Sequence, residues 1–160
     1  MVPSTIVFVL KLTRLTVANS SAFWSIEFFT FPGLNVNFSQ NKKSDLLFSE
    51  FPEKITSLQW HSYEVQNLEN NKNITLLASS PETKYQIFKY QEHAYGIQFH
   101  IEVKDTTVGE WGCVPEYKSA LEKQLGDGAL EKFDEEAKIH MSNMNKYSNI
   151  LYQNFKKLVP

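Results

Sequence analysis

The sequence predicts an α/β fold: a mixed β block followed by two C-terminal helices. Three observations carry it. Between Ile55 and Phe99 the chain breaks into short strand-like runs, and in the last of them Tyr95, Ile97 and Phe99 alternate with Gly96 and Gln98, the period of a strand. Beyond Ala129 the period changes. Leu130, Phe133, Ala137, Met141, Met144, Ser148, Leu151 and Phe155 fall at steps of three or four, one stripe of an amphipathic helix. Between the two regimes stand Pro115, suited to the first turn of a helix, and the stop signals Gly126 and Gly128.

The elements follow in order. Ile6 to Leu10 is an apolar run that Lys11 closes. It is too short for a membrane span, which needs roughly 20 apolar residues, and it reads as a strand, with a weak signal-like segment as the alternative. Phe23, Trp24, Ile26, Phe28, Phe29 and Phe31 form an aromatic run that predicts a strand and its flanks, and Pro32-Gly33 marks a turn. Asn35 to Asp45 is polar, carries Lys42-Lys43, and reads as a surface loop. Leu46 to Phe51 is a short apolar segment closed by Pro52. Ile55 to Tyr63 and Ile74 to Ala78 read as strands. Tyr85 to Tyr90 and Ala94 to Phe99 flank the polar link Gln91-Glu92-His93, which predicts a hairpin. One helix is expected from Pro115 to about Leu125 and a second from about Ala129 to Lys157.

At 160 residues the chain suits a single domain. Its hydrophobic share of 42% and charged share of 21% are those of a soluble globular protein. A net charge of −2 leaves no electrostatic footprint for nucleic acid or an anionic membrane. A single cysteine cannot build an internal disulfide, which fits a reducing, cytoplasmic setting. His61, His93, His100 and His140 show no zinc-ligand spacing with it, so no metal is expected. Three sequon matches, at Asn19, Asn37 and Asn73, read as chance without a convincing secretory signal.

The segment Ala94 to Glu102 carries the chemistry. An apolar strand is followed at once by His100 and, two residues on, by Glu102. Open α/β sheets place reacting groups at strand ends. There a carboxylate holds an imidazole in one tautomer and stabilises its cation, while the imidazole activates a nucleophile. Upstream of His100 no cysteine is present. Cys113 follows it, beyond Trp111-Gly112 and just before the first helix. A helix N-terminus lowers a thiol pKa, yet no Gly-x-Cys-x-Gly elbow surrounds Cys113, which reads as a bystander. His93 reads as a loop residue and His140 as the edge of the helical stripe. Met141 and Met144 read as core, and Glu131 to Lys138 as an exposed helix face with ion pairs at helical spacing.

Three blocks, in order, resemble one family. They are Leu58-Gln59-Trp60-His61-Ser62-Tyr63-Glu64-Val65, Leu76-Leu77-Ala78-Ser79-Ser80, and Tyr95-Gly96-Ile97-Gln98-Phe99-His100-Ile101-Glu102. From Glu50 to Val103 the chain resembles the C-terminal half of class I glutamine amidotransferase domains, the flavodoxin-like α/β family of the glutaminase part of GMP synthase. The last block is similar to the family's Gly-x-Gln-Phe-His-Pro-Glu signature, with Ile101 where proline is common. The resemblance implies a partial flavodoxin-like fold in one truncated domain. It would comprise a divergent segment 1–49, a family-like core 50–103 and C-terminal helices 104–160. It implies that His100 and Glu102 are catalytic, that His61 and Ser62 lie by the substrate, that glutamine is the substrate, and that no cofactor is needed. In the family a cysteine on a strand-to-helix elbow attacks the glutamine side-chain amide, and that elbow has no counterpart here. Three readings stay open. The chain is a truncated or divergent amidotransferase inactive alone, a non-catalytic binding or regulatory module, or one half of a site that a partner chain or domain completes with its cysteine.

Overall fold

A computed structural model describes residues 35–61, 64–92 and 94–158, together with the backbone of two short strands at 6–9 and 28–30. Among the described residues six strands form the main sheet: β1 (Ile6–Val9), β3 (Asn35–Phe38), β4 (Lys54–Thr56), β6 (Ile74–Ser79), β7 (Ile87–Tyr90) and β8 (Ala94–Ile97). Their order is β1-β8-β7-β6-β3-β4. Strands β2 (Phe28–Thr30) and β5 (Gln59–His61) pair separately. β1 runs parallel to β8, with Val9 opposite Ile97, while the other pairs are antiparallel. The predicted hairpin is β7–β8, with Tyr90 opposite Ala94. Gly96 sits under the Phe88 ring, where a Cβ would collide with three ring carbons.

Two helices lie where the sequence places them, α2 at Pro115–Leu125 and α3 at Ala129–Leu158. A short helix, α1 (Thr107–Gly112), precedes them. It is too brief to show a period, which hides it from pattern reading. Gly126 and Gly128 both adopt positive φ, +90° and +72°, the backbone that ends α2 and that glycine adopts without strain. The predicted stripe of α3 faces the core. Phe133, Ala137, Met141 and Met144 are buried, Leu130, Leu151 and Phe155 are half-buried against the core, and His140 sits at its border. On the outer face Lys138 pairs with Asp134 at 2.5 Å and His140 stands 4.0 Å from Glu136, both at i,i+4.

The stretch 35–45 corrects the expectation of a surface loop. It holds β3, which bonds to β4 on one side and β6 on the other, and then a 3₁₀ turn at Gln40–Ser44. Val36 and Phe38 point into the core between exposed or half-buried asparagines, so a two-residue apolar signal is masked by polar neighbours. Lys42 is buried too: its ammonium donates to the Phe51 carbonyl and lies 5.9 Å from the centre of the Phe38 ring. Leu47, Phe48 and Phe51 from the apolar segment close over Phe38, with ring centres 5.3 to 5.9 Å apart. Asp45 organises that segment. Its Oδ1 accepts from the Leu47 and Phe48 amides at 2.9 and 3.2 Å, and its Oδ2 from the Tyr95 hydroxyl of β8 at 3.0 Å. Burial, and then the Asp45 charge, push the Tyr95 hydroxyl above the ordinary tyrosine range.

The expected strand from Ile55 to Tyr63 is two strands in two sheets. β4 ends at Thr56 as the terminal strand of the main sheet, and β5 pairs with β2, Trp60 opposite Phe29. Between them Leu58 bridges to His100. Ser62, Tyr63, His93 and most of the aromatic run from Phe23 to Phe31 lie outside the described residues.

Candidate active site

Strand β8 ends at Ile97, and the three residues after it are locked one by one. The Gln98 side chain spans two loops: its Oε1 accepts from the Val65 amide at 3.1 Å and its Nε2 donates to the Tyr85 carbonyl at 2.8 Å. Phe99 is buried in the core. The main chain of His100 bonds both ways with Leu58, N–H to O at 2.8 Å and O from N–H at 3.0 Å. The backbone carrying the imidazole is therefore fixed before the side chain makes any contact.

The ring itself is held by two groups, a carboxylate and an indole. Its Nδ1 stands 2.6 Å from Glu102 Oε1, and Glu102 Oε2 accepts from the Ile101 amide at 3.0 Å. The indole of Trp111, from α1, meets the ring nearly edge-on, 5.2 Å between centres at 68°. Trp111 in turn packs on Trp60, and Trp60 on Phe133 of α3, at 5.2 and 5.3 Å. An Nδ1–H donated to a carboxylate leaves the lone pair on Nε2, the form a general base needs. Partial burial alone would raise the Glu102 carboxyl. The hydrogen bond and charge of His100, with the backbone amides of Glu102 and Ile101, outweigh that and hold it below the usual carboxylate range.

His61 ends β5, half-buried, with Nε2 3.0 Å from Gln59 Oε1. The Leu58–His100 bridge ties the start of that segment to the His100–Glu102 pair. Cys113 is exposed at the C-terminal end of α1, its amide bonded back to the Gly109 carbonyl at 3.1 Å, with no turn of the elbow type. Beside Gln98, the loops 64–69 and 79–85 enclose an open polar cleft of about 460 Å³. Glu69 and Lys84 form an ion pair at its rim, 2.5 Å apart. Among the described residues no three potential metal ligands cluster, and no helix is long and apolar enough to cross a membrane. Three residues that hold the site escaped the reading of single motifs: Trp111, Gln59 and Gln86. The glutamines were visible only as polar residues within apolar runs, a signal of buried hydrogen bonding.

The family model for glutamine amidotransferase class-I matches residues 27–111, more than half of the chain. The chain belongs to the class-I glutamine amidotransferase family. The match takes in His61, Ser62, His100 and Glu102 and ends at Trp111. Solved structures agree on the fold. A glutamine amidotransferase from Thermotoga maritima is 23% identical with a TM-score of 0.63, over 84% of this chain and 55% of that one. A glutamine amidotransferase from Methylobacillus flagellatus is 14% identical with a TM-score of 0.61, over 88% of this chain and 57% of that one. The chain thus spans little more than half the length of these amidotransferases. No curated protein matches it in sequence.

Proposed function

We propose that this chain carries the base-and-carboxylate half of a glutaminase site, with His100 as the base and Glu102 as its orienting carboxylate. The observation behind this reading is the Glu102 clamp, one oxygen 2.6 Å from His100 Nδ1 and the other 3.0 Å from the Ile101 amide. A carboxylate anchored at both oxygens fixes the imidazole's tautomer as well as its charge. The substrate class rests on family membership, which supports glutamine.

The chemistry would run in two steps. A cysteine thiol, supplied by a partner chain or domain, loses its proton to His100 Nε2 and attacks the glutamine side-chain carbonyl carbon. His100 returns that proton to the amide nitrogen, the C–N bond breaks, ammonia leaves, and a thioester remains. Water, deprotonated by His100, then attacks the thioester, and collapse of the intermediate releases glutamate and the cysteine. Glu102 stabilises the imidazolium in both steps. His61 and Ser62 would border the substrate. Residues 1–160 contain no glycine-flanked elbow cysteine, so this sequence by itself would not turn over glutamine.

The test is ammonia release from glutamine by the chain alone and mixed with a separately expressed half-domain bearing the Gly-x-Cys-x-Gly elbow. The chain alone should stay far below the ordinary enzyme range of roughly 1 to 1,000 per second. The mixture should hydrolyse glutamine, His100→Ala should remove most of that activity, and Glu102→Gln should cost less. Restored activity indifferent to His100, or full turnover by the chain alone, would defeat the assignment.

A further inference from the structure

We infer that Gln98 is a positioning residue for the proposed glutaminase reaction: its side chain fixes the substrate-bordering segment after β5 at a set distance from His100. Gln98 stands two residues before His100 and is 2% exposed. A buried carboxamide is costly unless its oxygen and its NH₂ both find partners. Here both do. The oxygen Oε1 accepts from the Val65 amide at 3.1 Å, and Nε2 donates to the Tyr85 carbonyl at 2.8 Å. Both partners are main-chain groups with no choice of role, since an N–H only donates and a C=O only accepts. That fixes which way round the amide lies. An apolar side chain of the same size would leave both main-chain groups orphaned.

The two partners differ in how firmly they are held. Tyr85 belongs to the rigid side and is itself buried. The turn before it is closed by the Ser80 amide on the Thr83 carbonyl at 2.8 Å and the Thr83 amide on Ser80 Oγ at 3.1 Å. The carbonyl of the next residue, Gln86, accepts from the Gln98 amide at 3.0 Å. Val65 belongs instead to the irregular stretch after β5. β5 is held by β2, and Leu58, just before it, exchanges main-chain bonds with His100. The chain that leaves β5 is caught again at Val65. The stretch from Leu58 to Val65 is therefore closed at both ends on one short piece of chain, at one end on His100 and at the other on Gln98. Tying the second end removes freedom that one tied end leaves to the middle of a loop.

A division of labour follows. Glu102 and Trp111 act on the His100 ring, whereas Gln98 acts on the stretch of chain that carries His61 and Ser62. On the reading that those two border glutamine, the border is tied to the same strand end that carries the base, so substrate and base keep one spacing. Loss of the Gln98 amide would loosen the border and leave the base clamped. Its cost then falls on substrate binding, while the cost of losing Glu102 falls on the chemical step. That consequence rests on the proposed function; the tether between Gln98 and Val65 does not.

Amide hydrogen exchange of the ¹⁵N-labelled chain reads the tether without any activity. The Val65 amide lies in no helix or strand, yet it should exchange far more slowly than in an unstructured peptide. Gln98→Met should bring it close to the unprotected rate. The His100 amide, bonded to the Leu58 carbonyl, should keep its protection, which also reports that the fold survives. Should Gln98→Met fail to fold, Gln98→Asn is shorter, cannot span both partners, and should free Val65 in the same way. A wild-type Val65 amide that exchanges freely would overturn the inference with no variant needed, and so would protection that survives these substitutions. In the reconstituted pair of halves, Gln98→Met should raise KM for glutamine about tenfold, the factor lost with one hydrogen bond. Its kcat should stay within about twofold of wild type, the reverse of Glu102→Gln. A fall in kcat at unchanged KM would strike out the substrate role and leave the tether standing. A mixture with no glutaminase activity would defeat the proposed function and the substrate role with it, while the exchange rates still decide the tether.

Discussion

Glu102 uses its charge twice, on the His100 ring and on the Ile101 amide, and this makes its ionisation part of the folded state. Its carboxyl lies below the ordinary value of 4.5 in the fold. A depressed carboxyl contributes stability that is fully present above the unfolded pKa and is lost as pH falls through the lower, folded value. Glu102→Gln should therefore be less stable than wild type at neutral pH, and the gap should close in acid, as pH falls below the ordinary carboxyl value and through the lower, folded one. The side chain is 51% exposed, so solvent screening keeps the gap under about 1 kcal/mol. Urea unfolding of both proteins across that range measures it, and a gap independent of pH would show that the clamp does not form in solution. Cys113 is the counter-case. Its side chain is exposed, so simple thiol reagents should label it in the folded chain at a rate that glutamine does not change. Mass spectrometry showing glutamine protection of Cys113 would make it a relocated nucleophile. The signature residues were legible because His100 and Glu102 stand two apart at a strand end. The bond between Gln59 and Gln86 was not, because the two glutamines are 27 residues apart and only folding joins them.

At the scale of elements, the β7–β8 hairpin shows how a motif residue can be structural. Gly96 lies in the signature block, yet its place is set by the Phe88 ring across the ladder. Gly96→Ala should cost about 1 to 3 kcal/mol through overpacking. Phe88→Leu in the same chain should recover part of it, as two unfolding curves would show. If Gly96→Ala alone is neutral, the Phe88 ring does not sit on the strand. The two longer helices were readable end to end, because α3 repeats its stripe over 30 residues and proline and glycine mark the bounds of α2. β3 was not, since two apolar residues between asparagines carry too little pattern. The division of Ile55 to Tyr63 between two sheets has no local cause. It follows from which strands each piece can pair with.

Among the described residues the molecule has one core. Residues from Val36 to Met144 form a single buried cluster in which sheet and helices share contacts. Asn154, near the end of α3, donates to the Leu47 carbonyl at 3.1 Å and ties the last helix to the loop beneath β3. Phe133 is central: fully buried, it meets Trp60, which meets Trp111, which walls His100. Phe133→Ala should cost about 3 to 5 kcal/mol. Because the core is shared, the loss should appear as one lowered transition, at the same midpoint by far-UV circular dichroism and by tryptophan fluorescence. Two separate midpoints would mean that the helices and the sheet unfold as independent bodies.

By itself the sequence determined the α/β class, the hairpin, the two long helices and the pairing of His100 with Glu102. Each of these is written in neighbouring residues: a period, a cap, or two side chains two positions apart. Tertiary structure decided the rest. It joined β3 to both β4 and β6, assigned β4 and β5 to different sheets, brought Trp111 against His100, and closed the Gln59–Gln86 network behind His61. These depend on pairings between residues far apart in the chain, where one hydrogen bond or ring contact is fixed by the burial of everything around it, and no local pattern encodes that choice.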